Sequence, residues 1–214
     1  MLIGLHDAER EHMPRKTFPN LALMKLSAYH KLQGDVVEWW NPLTQTYDIV
    51  YSSKVFDFTP ENPYLPDNTI RGGTGYDVKS KLDPEIDAMF PDYSIYPDCD
   101  YAIGYITRGC PNHCRWCLVP EKEGELTEYS TIDKIRRADT DKVVLMDNNV
   151  LASRNVHEIL DSLIFSGLHI DFNQGLDARL VCPGCADRLA RINWIKYIRF
   201  SCDTVSQIPA IENV

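Results

Sequence analysis

The sequence lacks the features that would assign it to a membrane, secreted or disordered class. No run approaches the ~18 consecutive apolar residues that a membrane-spanning helix needs. Residues 1–7 carry no basic region ahead of a long apolar one, unlike a secretory signal. With 44% hydrophobic and 25% charged residues, the 214-residue chain has an ordinary globular composition. We therefore expect a cytoplasmic protein with no membrane partner.

The chain also lacks an excess of basic residues. It has 22 lysines and arginines against 31 aspartates and glutamates, a net charge of −9. Proteins that bind nucleic acid through its phosphates usually carry the opposite balance. Net charge therefore does not favour a nucleic-acid partner, although a local basic channel remains compatible with it.

Seven cysteines are present, an odd number with no secretory signal beside it. A disulfide framework is therefore not expected, and closely spaced cysteines in a cytosolic chain indicate metal or redox chemistry instead. Three of them, Cys110, Cys114 and Cys117, fall within eight residues. This cluster is the most informative feature of the sequence.

The first half of the chain alternates strand and helix signals. Residues 2–5 and 36–40 are short apolar runs typical of strands. Between them, Asn20 precedes a segment, residues 21–32, whose apolar side chains recur at helical spacing. Gly34 follows, where a left-handed residue often ends a helix. Strand, helix and strand in this order predict a βαβ unit and a parallel sheet.

The second half repeats this alternation as four βα-type units. Open Rossmann-like sheets and TIM-type barrels both produce such a pattern. The predicted strands are residues 101–107, 142–146, 168–172 and 197–201, and the predicted helices are residues 131–138, 156–166 and 185–192.

A segment rich in proline and aspartate, residues 83–98, separates the two halves. Such composition is typical of a linker or a surface crossing between domains. We therefore expect two domains, residues 1–97 and residues 98–214.

The cysteine cluster has the spacing C-x-x-x-C-x-x-C and follows a predicted strand directly. Thiolates on one short loop favour zinc or iron–sulfur. Structural zinc needs four ligands, and His113 is the available fourth, but four ligands within eight residues would strain a tetrahedral site. A four-iron cluster normally takes four cysteines, so three would leave one iron open to another ligand.

This segment resembles the signature of the radical S-adenosylmethionine superfamily. The resemblance implies that Cys110, Cys114 and Cys117 hold a [4Fe-4S] cluster whose open iron is chelated by S-adenosylmethionine. Reductive cleavage of that cofactor then yields a 5′-deoxyadenosyl radical, which acts on a substrate that the sequence does not identify. Trp116 stands where the family keeps an aromatic residue beside the adenine.

The resemblance also implies cofactor-binding residues at the ends of the later barrel strands. In place of the family's Gly-Gly-Glu, which binds the methionine amino group, this chain has three polar residues after the second strand. Polar residues follow the third and fourth strands as well, where side chains face the site of a barrel. The candidates are Asp147, Asn148, Asn149, Asn173, Gln174, Arg179, Ser201 and Asp203. Arg179 has two candidate partners, the cofactor carboxylate and Asp177.

The first half resembles the cobalamin-binding-like domain that precedes the barrel in many radical S-adenosylmethionine proteins. The signature Asp-x-His-x-x-Gly is absent, so cobalamin held by that histidine is not expected, although some relatives bind it without one. The fold class that follows is α/β, with a Rossmann-like N-terminal domain and a partial (β/α) radical S-adenosylmethionine barrel.

A second cysteine motif, C-x-x-C, is formed by Cys182 and Cys185. It is typical of a redox pair, of half a metal site, or of two thiols at the start of a helix. We expect the last of these. The chain therefore carries three functional hypotheses: a radical enzyme, a non-catalytic zinc-binding interaction module, and a thiol redox protein that uses this pair.

The radical hypothesis has two further implications. The family implies an electron-donating partner of the flavodoxin or ferredoxin type. A family barrel also has about six βα units, whereas only residues 202–214 follow the fourth predicted strand. We therefore expect the chain to be incomplete as a catalyst, either a fragment or one part of an assembly.

Overall fold

The structure is a computed structural model that describes residues 1–13, 18–43 and 46–213. The chain divides into two compact units, Met1–Cys99 and Asp100–Val214. Both are mixed α/β and both contain a parallel sheet, which confirms the expected class. Among the described residues, no helix combines the length and apolar character needed to cross a membrane.

The first unit contains a four-stranded parallel sheet in the order β2-β1-β3-β4. Strand β1 lies inside the sheet and pairs with both β2 and β3, so its side chains Ile3 and Leu5 are fully buried. The elements of this unit are β1 (Leu2–Asp7), α1 (Ala8–His12), α2 (Leu21–Leu32), β2 (Val36–Trp39), β3 (Ile49–Ser53), β4 (Ile70–Gly72) and α3 (Pro84–Asp87).

Helix α2 has the bounds that its sequence predicts. The Asn20 side chain accepts a hydrogen bond from the Leu23 backbone, which satisfies one of the free N–H groups at the helix start. Leu23 and Met24 are completely buried. After the helix, Gly34 adopts φ +81°, a left-handed conformation that glycine adopts without strain. Local signals therefore determine both ends of this helix.

The segment 83–98, predicted as a linker or a surface crossing between domains, is part of the first unit and packs on α2. Its acidic side chains bond to α2: Lys25 pairs with Asp87 at 2.8 Å, and Ser27 donates to Asp92 at 2.6 Å. Lys31 also pairs with Asp92. The aspartates that suggested an exposed linker are thus partners for the polar side of a helix.

The second unit contains a four-stranded parallel sheet in the order β10-β9-β8-β5, with a two-stranded antiparallel ribbon, β6-β7. Its core is built from β8, β9 and the apolar faces of two helices. The elements are β5 (Ala102–Gly104), β6 (Thr107–Arg108), α4 (Val119–Lys122), β7 (Thr127–Glu128), α5 (Ile132–Ile135), β8 (Lys142–Leu145), α6 (Val156–Ser166), β9 (His169–Phe172), α7 (Pro183–Leu189), β10 (Asn193–Trp194) and α8 (Ile208–Glu212).

Three predicted elements of this unit differ from the structure. The helix predicted over residues 131–138 covers only Ile132–Ile135, and the one predicted over residues 185–192 is Pro183–Leu189. The single strand predicted over residues 101–107 is interrupted between β5 and β6. It is interrupted because the N–H groups of Ile106 and Thr107 donate to the Asp147 carboxylate instead of to a neighbouring strand.

The fourth strand was predicted in the wrong place. Residues 197–201 are not a strand; β10 is Asn193–Trp194, which pairs with β9. Phe200 forms only an isolated parallel bridge with Leu176. Ile198 and Phe200 are partly buried against the core. Their alternating pattern therefore reflects burial of these side chains and not a regular pairing of strands.

Candidate metal centre

The three clustered cysteines lie in a loop, residues 109–126, which we name the cysteine loop. It connects β6 to β7, so the antiparallel ribbon joins its two ends. The segments that follow β8 and β9, at the carboxyl ends of parallel strands, supply polar side chains to this loop. This edge of a parallel sheet is where ligands bind in open α/β folds.

The base of the cysteine loop is closed by close backbone contact. Gly109 adopts φ +88°, and a Cβ at this position would overlap the carbonyl oxygen of Glu125. The Cys110 N–H donates to the carbonyl of Gly124 at 3.2 Å. Only glycine adopts this conformation at such a close approach to the Glu125 carbonyl. The backbone of Cys110, the first candidate metal ligand, therefore has a fixed position.

Arg108 reinforces the same base from the side. Its guanidinium donates two hydrogen bonds to the Glu123 carboxylate, at 2.9 and 3.1 Å. The guanidinium also lies 5.0 Å from the ring centroids of both Tyr105 and Tyr129. A planar cation held by a carboxylate and two aromatic faces is a rigid arrangement. It fixes the ribbon from which the cysteine loop extends.

Asp147 lies beneath the loop and is only 2% exposed. Its carboxylate accepts from the backbone of Ile106 at 3.1 Å, and from the backbone and hydroxyl of Thr107 at 2.5 and 2.7 Å. Burial raises the pKa of Asp147 to about 6, despite the lowering effect of these bonds. Both carboxylate oxygens are thus bonded to the chain that leads into the cysteine loop.

The two asparagines after Asp147 contact the loop directly. Asn148 accepts a hydrogen bond from the Gly109 N–H at 3.0 Å. The Asn149 amide nitrogen donates to the Cys110 sulfur at 3.6 Å. The Asn149 side-chain oxygen is buried and has no hydrogen-bond partner among the described residues. A buried acceptor without a donor is costly, so this atom marks a place where a donor group would be favourable.

Arg179 forms an ion pair with Asp177, at 2.7 and 2.6 Å. Negative groups raise the pKa of Arg179: Asp177 first, and then Cys114 and Asp203. Asn112, inside the cysteine loop, donates to Asp177 at 3.4 Å. The structure therefore brings both Cys114 of the loop and Asp203 near Arg179. It also adds Asn112 and Asp177, which the sequence did not single out as site residues.

The remaining candidate residues are less closely tied to the loop. Trp116 is 60% exposed. Asn173 donates to the sulfur of Met146 at 3.7 Å, and Gln174 is exposed. Ser201 bonds to the carbonyl of Leu176. Their roles in cofactor binding stay predictions.

The three loop thiols do not converge on one point. Cys110 and Cys114 are half-buried and Cys117 is exposed. Across the described residues, neither these cysteines nor a set that includes His113 brings its ligand atoms within 4.8 Å of one another. The loop is therefore not arranged around a single ion, as a tetrahedral zinc site would require.

A different group does converge, and it includes a residue that the sequence analysis missed. The ligand atoms of His157, Cys182 and Cys185 all lie within 4.8 Å of one another. Hydrogen bonds with Cys185 and then with His157 lower the pKa of Cys182 to about 7. Burial raises the pKa of Cys185. No local spacing signals His157, because it lies on α6, 25 residues before Cys182.

Comparison with known proteins adds no family assignment. A scan against protein-family models and a search of curated proteins both find no match to this chain.

Proposed function

We propose that this chain is a radical S-adenosylmethionine protein in which Cys110, Cys114 and Cys117 hold a [4Fe-4S] cluster. When bound, the cluster and S-adenosylmethionine together supply reductive cleavage of a sulfonium bond, which starts radical chemistry on a substrate. The observation that carries the proposal is the buried, unpartnered oxygen of Asn149, whose amide donates to Cys110.

The donor set fits a cluster better than a single ion. Each cysteine of a four-iron cluster binds a different iron, so its sulfurs stand farther apart than the ligands of one ion. Among the described residues, the three loop sulfurs do not all lie within 4.8 Å of one another, as the ligands of one ion would. Three thiolates also leave one iron without a protein ligand, and an open coordination site is what metal-based catalysis requires.

Asn149 fits the amino group of S-adenosylmethionine. Its side-chain oxygen accepts no hydrogen bond from the described residues, and a protonated amine is a strong donor. The same side chain donates to the Cys110 sulfur, which would tie the cofactor site to the cluster site. Of the three polar residues after β8, Asn149 is therefore the one that we assign to cofactor binding.

Asp147 and Asn148 have a different role in this proposal. Their side-chain oxygens accept from the backbone of Ile106, Thr107 and Gly109, so they position the cysteine loop. Arg179, paired with Asp177, provides positive charge beside Cys114. That charge is available to a carboxylate.

The fold is compatible with the proposed class. The second unit has four parallel strands, and its cysteine loop lies where the chain leaves the first of them. We propose that this unit is a partial radical S-adenosylmethionine barrel and that the first unit is Rossmann-like. Four strands are fewer than the six of a family barrel.

The proposal is tested by anaerobic reconstitution with iron and sulfide, followed by dithionite and S-adenosylmethionine. We expect a brown protein with about four irons per chain, and 5′-deoxyadenosine and methionine as products. Asn149→Ala should retain the iron but weaken S-adenosylmethionine binding, whereas Asn193→Ala is the matched amide control, because the exposed Asn193 side chain donates to the carbonyl of Gly167, outside the cysteine loop. A colourless protein that holds one zinc per chain at the loop would refute the proposal and favour the zinc-binding module.

A further inference from the structure

The C-x-x-C motif and a histidine from another helix form a compact donor group, which lies apart from the cysteine loop in sequence. Cys182 precedes α7, Cys185 lies in its first turn, and His157 lies in the first turn of α6. The two sulfurs are 3.0 Å apart, and the His157 Nε2 atom lies 3.6 Å from the Cys182 sulfur. We name these three residues the second donor group.

The packing of α6 on α7 brings the second donor group together. Arg188 donates to the Asp161 carboxylate at 2.9 and 3.1 Å, which links the two helices. Asp161 lies one turn after His157, and Arg188 lies about one turn after Cys185, so each partner shares a helix face with a donor. The ion pair therefore holds the imidazole beside the thiols.

Gly184, inside the motif, allows this approach. A Cβ at Gly184 would lie 3.4 Å from the His157 ring, so the imidazole packs closely on the backbone between the two cysteines. Arg188 donates a further bond to the Gly184 carbonyl at 3.0 Å. The imidazole and the guanidinium thus both pack against this turn.

We propose that His157, Cys182 and Cys185 bind one zinc-class metal ion, at a site independent of the cluster. Two thiolates and an imidazole are a common zinc donor set. Zinc bond lengths of about 2.3 Å to sulfur and 2.0 Å to nitrogen give a nitrogen–sulfur separation of about 3.5 Å in a tetrahedral site. The observed 3.6 Å separation agrees with this geometry.

The sulfur–sulfur distance must increase to about 3.8 Å when both thiolates bind one zinc. Cys182 is exposed and Cys185 is buried, so the Cys182 side chain is the one that moves, and its sulfur then weakens the 3.3 Å bond that it accepts from the Cys185 N–H. The group has three members among the described residues, and a four-coordinate ion would therefore take its fourth ligand from solvent. A site of this composition accepts water or an exchangeable small ligand.

The experiment is an anaerobic Co²⁺ titration of the chain carrying Cys110→Ser, Cys114→Ser and Cys117→Ser, which removes the competing thiols. We expect a sulfur-to-cobalt charge-transfer band that saturates at one cobalt per chain and disappears when Zn²⁺ is added. Cys185→Ser in the same background should abolish the band. His157→Ala should weaken cobalt binding about 100-fold or more, since a full ligand is lost.

Cys202→Ser is the matched control, because Cys202 is an exposed cysteine of the same unit outside the group. It should leave the titration unchanged. The same titration on the parent chain, compared with its Cys185→Ser variant, gives the difference spectrum of the site with the cysteine loop intact. Absence of the band in both backgrounds would overturn the proposal, as would a Cys182–Cys185 pair that forms a disulfide readily but binds no cobalt.

Discussion

The cysteine loop and the second donor group show two ways in which a chain presents thiols to a metal. The loop has a strong sequence signature, three cysteines in eight residues, yet its three sulfurs do not all lie within 4.8 Å of one another in the described residues. The second donor group has only a common C-x-x-C motif, yet its three ligand atoms lie within 4.8 Å of one another. Spacing along the chain and convergence in space are therefore different kinds of evidence.

The difference has a physical origin in what each region is built from. The cysteine loop is fixed at its base by Gly109 and at its side by Asp147, Asn148 and Asn149, while its thiols extend from that base. The second donor group is held by helix packing, through one arginine–carboxylate pair. The two regions therefore hold their thiols by different contacts, backbone and amide bonds in one and helix packing in the other.

The largest expected effect follows from removing a loop thiol. Cys110→Ala, Cys114→Ala and Cys117→Ala should each reduce the iron content of reconstituted protein from about four per chain to near zero, because three thiolates hold the whole cluster. Cys202→Ala, also a surface cysteine, should keep the parent iron content. Colorimetric iron analysis measures both. Equal iron content in all four variants would contradict the assignment of the iron to the three loop cysteines.

The next effect tests the fixed base of the cysteine loop. Gly109→Ala should destabilise the second unit by about 3 kcal/mol or more, since it combines a left-handed backbone with a Cβ overlap against Glu125. Gly124→Ala is the control: Gly124 also has positive φ, but no atom lies within 4 Å of its Cβ position. It should cost about 1 kcal/mol. Urea unfolding of the parent, Gly109→Ala and Gly124→Ala measures the two losses of stability. Equal losses would show that the close approach of Gly109 to Glu125 makes no contribution.

The buried carboxylate of Asp147 predicts a pH dependence. Its pKa of about 6 lies above the ordinary 3.8, so between pH 4 and pH 6 the folded state retains a proton that the unfolded state loses. Stability should therefore fall as the pH rises through this window, by up to about 3 kcal/mol from this group, and become level above pH 6. Asp147→Asn should remove this contribution.

The measurement is the unfolding free energy of parent and Asp147→Asn at intervals from pH 4 to pH 7. The parent should lose stability relative to the variant up to pH 6, after which the difference should stay constant. Two parallel pH profiles would contradict the assignment of a buried, proton-retaining group beneath the loop.

The smallest expected effect is on the loop when the second donor group is removed. The double variant Cys182→Ala with Cys185→Ala should keep the iron content and absorption spectrum of the parent, since the two regions are held by different contacts. With the three loop cysteines also changed to serine, it should nevertheless lack the cobalt band of the second donor group. Loss of iron in the double variant would show that iron binding at the cysteine loop depends on the second donor group, and the two regions would then not be independent sites.

Local signals predicted much of the fold. Helix α2 and its Asn20 cap, helix α6 and its left-handed Gly167, and the βαβ order of the first unit all depend on neighbouring residues. The misplaced fourth strand had an alternating pattern as well, but strand pairing depends on β9, which lies elsewhere in the chain. Alternation reports which side chains are buried and does not identify the strand's partner.

The candidate site shows the same difference between features set by neighbouring residues and features set by the packing of distant segments. The cysteine loop was predicted because its ligands are close in sequence. His157 was missed because its meeting with Cys182 depends on the packing of two helices. For the same reason the sequence did not show that aspartates of residues 83–98 have partners on a helix some sixty residues earlier.

The most direct test of the central proposal is the electron paramagnetic resonance spectrum of the reconstituted, dithionite-reduced chain, before and after addition of S-adenosylmethionine. We predict a reduced iron–sulfur signal that changes in shape on addition, because the cofactor binds the iron that Cys110, Cys114 and Cys117 leave open. Asn149→Ala should show the same starting signal and require more cofactor for the change. A chain with no iron-dependent signal, or one whose signal S-adenosylmethionine leaves unchanged, would contradict the proposal.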